Sequence, residues 1–132
     1  MKVGFDYWQV ISHYPEQLAM IADALHEQGH EIHVVSGVGK IRQGTVASDV
    51  LSTWPLFPVQ RVHEVVFDHP RQSPELKLAK CKELGIDIFF DDRDDVCRLL
   101  SANGVLAFRV PRRDGSTYDL GAERDLHEDG DA

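Results

Sequence analysis

Three places in this 132-residue chain combine residue types that do chemistry with positions that could expose them: Asp6, Ser36, and the run Asp91-Asp92-Arg93-Asp94-Asp95. Each follows a short apolar stretch, KVGF, EIHVV and IDIFF, and in parallel sheets ligands bind outside the carboxyl ends of the strands. Carboxylates crowded together raise one another's pKa unless a cation joins them, so Asp6 with Asp91 or Asp92 favours a hard divalent ion, magnesium above all. Each position also has a plain structural reading. An aspartate after a strand often caps a turn or helix, and DDRDD ahead of a helix is a favourable N-terminal charge pattern.

The rest of the sequence reads as the frame that would hold these residues. Lys2–Phe5, Glu31–Ser36, Arg61–Phe67, Ile86–Phe90 and Val105–Val110 are short, rich in β-formers and punctuated by turn residues, which predicts five strands. Between them, Leu18, Ile21, Ala22 and Leu25 follow Pro15 at helical spacing up to Gly29, and a second helix runs from Ser73-Pro74 to Gly85. Val96, Leu99 and Leu100 mark a third, stopped by Asn103-Gly104. Val46, Val50 and Leu51 could line one more before Trp54, Pro55 and Pro58 end it. Strand and helix alternate throughout, which predicts an α/β, three-layer, Rossmann-like fold around a central parallel sheet of about five strands. The expected domain is residues 1–111; residues 112–132, polar and acidic, read as a mobile tail with little to bury.

Composition narrows the function classes. Twenty-two acidic against 14 basic residues give a net charge of −8, which disfavours binding along a nucleic-acid backbone but not at a terminal phosphate. No apolar run approaches the roughly 20 residues of a membrane span, and no signal layout opens the chain, so the expected location is cytoplasmic with no membrane partner. Cys81 and Cys97 lie on separate predicted helices without partners at ligand spacing, as buried reduced thiols do. His30 with His33, and His63 with His69, are too loosely spaced to read as a zinc site.

From Lys2 to Val110 the order of motifs resembles the haloacid dehalogenase (HAD) superfamily. Asp6-Tyr7-Trp8-Gln9-Val10 stands where that family ends its first strand in a nucleophilic aspartate. Ser36 in HVVSG stands at the second motif, Lys77 in SPELKLAKCKELGID at the third, and Asp91, Asp92 and Asp95 in IFFDDRDDV at the acidic fourth. The resemblance implies a HAD fold in which Asp6 attacks phosphorus and forms an aspartyl-phosphate that water cleaves. It also implies that Ser36 and Lys77 stabilise the phosphoryl group, and that Mg2+ is held by Asp6, Asp91 or Asp92 and the Trp8 main-chain carbonyl.

The departure from the family is Trp8, which replaces the second aspartate, the usual general acid and base. Tryptophan can neither protonate a leaving group nor activate water, so the resemblance implies a slow phosphatase. Another leaving group, or His13 in the next loop, would be ways around the loss. The segments after the first and second strands are short, which implies a capless, open site. Such a site suits a large substrate, such as a phosphoprotein or a polynucleotide end, or an oligomer whose neighbouring copy supplies the lid; the expected partner is a phosphorylated substrate, small molecule or macromolecular end. The alternative expectation is a catalytically degraded HAD module that binds magnesium or phosphate without turnover. A receiver-like domain fits less well, because receivers place the acidic pair after the first strand, whereas here it comes late.

Overall fold

The computed structural model describes residues 1–116, so most of the expected acidic tail, residues 117–132, lies outside the described residues. The elements are β1 (Lys2–Phe5), α1 (Pro15–Glu27), β2 (Glu31–Gly39), α2 (Val46–Thr53), β3 (Val62–Phe67), α3 (Ser73–Leu84), β4 (Ile88–Asp91), α4 (Asp94–Ala102) and β5 (Leu106–Arg109). All five strands are parallel and lie in the order β3-β2-β1-β4-β5. This is the expected α/β, Rossmann-like arrangement. Strand order reverses beside β1, where the chain has built outward through β2 and β3 and then returns to add β4 on the other side.

Each face of the sheet closes its own core because successive side chains of a strand point to opposite sides. Val3, Phe5, Ile32, Val34 and Val38 pack with Leu18, Ala22, Val46 and Val50 on the α1 and α2 side. Val35, Val65 and Phe89 pack with Cys81, Val96 and Leu100 on the α3 and α4 side. Burying each large side chain contributes on the order of 1.5–3 kcal/mol. Phe5, Phe90 and Phe108 stack in a row across β1, β4 and β5, with centroids 4.8 and 5.5 Å apart.

Several element ends differ from the sequence expectation. β2 runs on to Gly39 instead of stopping at Ser36, because β3 pairs with it from Val34 to Gly39. β4 begins at Ile88; the preceding Asp87 is occupied by Lys2, whose amide donates to its carboxylate and whose carbonyl accepts from its amide. α4 starts two residues early, with Asp94 and Asp95 in its first turn, so part of the acidic run does serve the helix terminus. The weakest expected helix forms as α2, anchored by fully buried Val46 and Val50. The polar segment after β5, expected to have little to bury, buries Arg112. Tyr14 Oη donates to Pro111 O at 2.6 Å and fixes that segment against the start of α1.

The register also creates a pairing that linear spacing hides. His33 on β2 and His63 on β3 meet with Nδ1 and Nε2 3.0 Å apart, and His33 Nε2 lies 2.7 Å from Glu31 Oε2. Burial, with His33 beside it, holds His63 below the ordinary imidazole range. The unfolded chain therefore takes up this proton first as pH falls below about 6.5, and the folded state loses stability through that window. The acid-induced loss in urea-unfolding free energy between pH 7.5 and 5.5 should be smaller in His63→Gln than in the wild type; equal losses would remove His63 from the account.

β1 can sit at the centre only because Gly4 carries no side chain. A Cβ there would lie 2.5 Å from Phe89 Cδ1 and 2.8 Å from its Cε1. Gly4→Ala should lower stability by about 1–3 kcal/mol through overpacking, and Phe89→Leu in the same chain should recover part of the loss in denaturant titrations.

Candidate functional site

β1 delivers Asp6 to the point of strand reversal. The ladder pairs Phe5 with Phe90 and with Val34, so Asp6 is level with Asp91, and Ser36 is level with the residue just past Asp6. Ser36 thus holds the expected height although its strand continues beyond it. Asp6 N donates to Phe90 O at 2.9 Å, extending the β1–β4 pairing up to the carboxylate.

The chain then turns sharply. Gln9 has φ 65°, a left-handed conformation that costs a non-glycine residue energy and recurs at functional sites. Its amide donates to Ser12 Oγ at 3.0 Å. Asp6 Oδ1 accepts from the Tyr7 amide at 2.9 Å, so the turn orients one carboxylate oxygen and leaves the other facing inward.

Lys77 crosses from α3 to meet that oxygen. Its Nζ donates to Asp91 Oδ2 at 2.6 Å and lies 3.3 Å from Asp6 Oδ2, and all three side chains are fully buried. The Arg93 amide donates to Asp91 Oδ1 at 2.9 Å, so both oxygens of Asp91 are engaged. Asp92 Oδ2 accepts from Arg112 Nε at 2.8 Å. Among the described residues, Asp6 Oδ2, Asp92 Oδ1, Ser36 Oγ, Ser73 Oγ and Trp8 Nε1 are buried without a hydrogen-bond partner.

The electrostatics follow from burial. Desolvation pushes Asp6 well above the usual carboxylate range, Lys77 opposes the rise, and Asp91 and Asp92 add to it. Ser36 is close enough to favour the ionised form of Asp6, yet its hydroxyl completes no hydrogen bond of good geometry. Burial and the neighbouring Asp91 carboxylate push Asp92 up to about 6. Burial alone would depress Lys77, but Asp6 and Asp91 outweigh it and hold the ammonium above the ordinary lysine range.

A divalent cation fits this chemistry. Asp6, Asp91 and Asp92 each offer an oxygen within 4.8 Å of the others, a spread compatible with an octahedral ion whose ligands sit at about 2.0–2.1 Å. Asp6 and Asp92 are the pair with a carboxylate oxygen to give. Asp95 is elsewhere engaged: its oxygens accept from Arg93 Nε at 3.0 Å and Nη2 at 2.7 Å, so this member of the expected acidic motif serves the α4 terminus.

Trp8 lines the turn beside Asp6 with its ring edge-on to Tyr7, and the Arg42 guanidinium lies 4.3 Å from its centroid. The His13 carbonyl accepts from Arg113 Nη2 at 2.6 Å. The cysteines are buried, and their thiols are pushed up to about 12, chiefly by that burial; neither is a nucleophile at neutral pH. Sequence reasoning missed Arg112 and Ser73. The first belongs to a stretch that reads as tail, and the second reads as an ordinary helix start.

Comparison of the chain with protein-family models, curated proteins and solved structures finds no match. No helix among the described residues is long and apolar enough to cross a membrane.

Removing one member of a buried ion cluster leaves its partners uncompensated, at a typical cost of about 3–5 kcal/mol. Lys77→Met should show a loss of that size in urea unfolding, and added Mg2+ should restore part of it by supplying the missing positive charge. A variant as stable as the wild type would mean that Asp6 and Asp91 do not depend on the ammonium.

Proposed function

We propose that the protein is a magnesium-dependent phosphohydrolase of the HAD type, acting on a phosphate ester through an aspartyl-phosphate on Asp6. The observation that carries this reading is the meeting of Asp6, Lys77, Asp91 and Asp92 at the point of strand reversal, with Asp6 Oδ2 and Asp92 Oδ1 left without hydrogen-bond partners. The motif resemblance supplies the chemistry: carboxylate, lysine, serine and acidic cluster, in that family's order.

In this reading Asp6 Oδ2 attacks phosphorus, the ester P–O bond breaks and the alkoxide leaves, taking a proton from water, while the Tyr7 amide holds Oδ1 and fixes the carboxylate's aim. Lys77 balances the negative charge that develops on the phosphoryl oxygens, and Ser36 donates to one of them. A magnesium ion held by Asp6 and Asp92, with the Trp8 carbonyl as the family's further ligand, would offset repulsion between carboxylate and phosphate. Asp91, engaged by Lys77 and the Arg93 amide, positions the ammonium. Water then attacks the phosphorus of the aspartyl-phosphate, breaking its bond to Asp6 Oδ2 and releasing inorganic phosphate, with the water's proton passing to solvent and the Asp6 carboxylate regenerated. No carboxylate stands at residue 8 to move protons in either step, so turnover is slow.

A tight turn separates β1 from α1, and the segment between β2 and β3 holds the eight-residue α2 and two single-turn helices, Lys40–Arg42 and Val59–Arg61, which supports a capless site. The substrate is then a phosphorylated small molecule or a macromolecular end, or a neighbouring copy completes the enclosure.

Two observations favour the second reading, a degraded module that binds magnesium or phosphate without turnover: tryptophan at residue 8, and the complete burial of Asp6. Assay against a panel of phosphate esters with Mg2+ separates the two. The hydrolase reading expects activity that chelation removes and Asp6→Asn abolishes. It also expects Trp8→Asp to raise the rate, up to the ~10²–10⁴-fold that a positioned acid–base group contributes. Activity untouched by Asp6→Asn would refute the nucleophile, and magnesium binding without turnover on any ester would favour the module.

A further inference from the structure

We propose that the first turn of α3, with the Ser73 hydroxyl as its donor, is an oxyanion subsite that takes a second oxygen of the phosphoryl group. The proposal rests on the reading of the Asp6 site given above and adds a binding position to it.

Ser73 is fully buried, and its Oγ has no hydrogen-bond partner. Buried hydroxyls are nearly always paired, because desolvation without a compensating bond is unfavourable. Alanine would fill the same place without that penalty. The hydroxyl is therefore explained by something that binds it.

Position identifies what that is. Ser73 opens the 12-residue α3, and Lys77 follows one turn later on the same face. Side chains in a helix lean toward its N-terminus, so the Lys77 stem runs back toward Ser73 as its ammonium reaches Asp6 and Asp91. The turn before α3 is tied to the acidic loop by Arg93 Nη1, which donates to Pro70 O at 2.9 Å. Gln72 faces away, its Oε1 accepting from the Asp68 and His69 amides at 2.8 and 3.2 Å. Ser73 thus opens the helix that carries Lys77, next to a turn tied to the loop carrying Asp91 and Asp92.

The chemistry of that place is anionic. A helix N-terminus carries partial positive charge and attracts phosphate oxygens. At the start of α3 the Ser73 amide already donates to Pro70 O, and Pro74 has no N–H. At these two residues only the hydroxyl can donate. Ser73 and Ser36, from separate elements, would then hold different oxygens of one tetrahedral group, which fixes its orientation toward Asp6.

The test measures inorganic phosphate binding to the full chain with Mg2+ by calorimetry, alongside thermal melting without phosphate. Ser73→Ala should weaken phosphate binding by about tenfold, the usual effect of one hydrogen bond to a charged group. The same substitution should leave the ligand-free melting temperature equal or higher, and Ser73→Thr should keep wild-type binding. A structural hydroxyl would behave oppositely: a lower melting temperature with unchanged affinity overturns the proposal. If Ser36→Ala weakens binding and Ser73→Ala does not, the subsite falls and the Asp6 reading stands. If the wild type binds no phosphate, both fall.

Discussion

The buried ammonium of Lys77 is the constraint on which the rest of the structure turns. Three carboxylates, Asp6, Asp91 and Asp92, converge in the interior, and the cations paired with them are Lys77 and Arg112. Among the described residues, the three carboxylates outnumber the two cations paired with them. Burial makes that excess expensive, and the raised pKa values of Asp6 and Asp92 are the molecule's response. Protonation of one of them would relieve the excess, and in the proposed reading a divalent ion would relieve it as well. In the proposed reading, proton and metal ion would compete for that deficit of positive charge.

Such a cluster does not hold a domain together. Its polar groups are desolvated, several lack partners, and its turn is strained at Gln9. The two apolar cores and the Phe5, Phe90 and Phe108 stack stabilise the sheet on which the cluster is mounted. The division of labour follows the strands, apolar along their lengths and charged at their carboxyl ends, with Gly4 letting Phe89 close over β1 two residues before Asp6.

Much of this frame is legible in the sequence because short apolar runs bounded by turn residues leave little choice of element. Asp6 and Asp91 could be placed at strand ends from those runs alone. Lys77 could not, since a lysine between Glu75 and Lys80 looks like helix surface; only the resemblance to a motif order singled it out. The glycines after Ser36 predict an end to β2 there, whereas β3 supplies partners through Gly39. The His33–His63 pair depends on register between two strands, which linear spacing does not carry. Arg112 and Ser73 were hidden for a common reason: a polar residue near a chain end or helix start has an ordinary local explanation, and only the surrounding fold reveals that it is buried.

The central position of β1 has a consequence for how the molecule is made. Of the five strands β1 is synthesised first, and β2 can pair with it early. Its other neighbour is β4, with Val3 matched to Ile88, so that edge waits for nearly the whole domain to be synthesised. Contacts this distant in sequence form slowly, and an unpaired apolar strand invites association meanwhile. Lys77 and Asp91 come from the same late portion of the chain. The two halves of the sheet are therefore joined at its centre late, before β5 closes one rim, and the ion cluster is assembled in that same joining step.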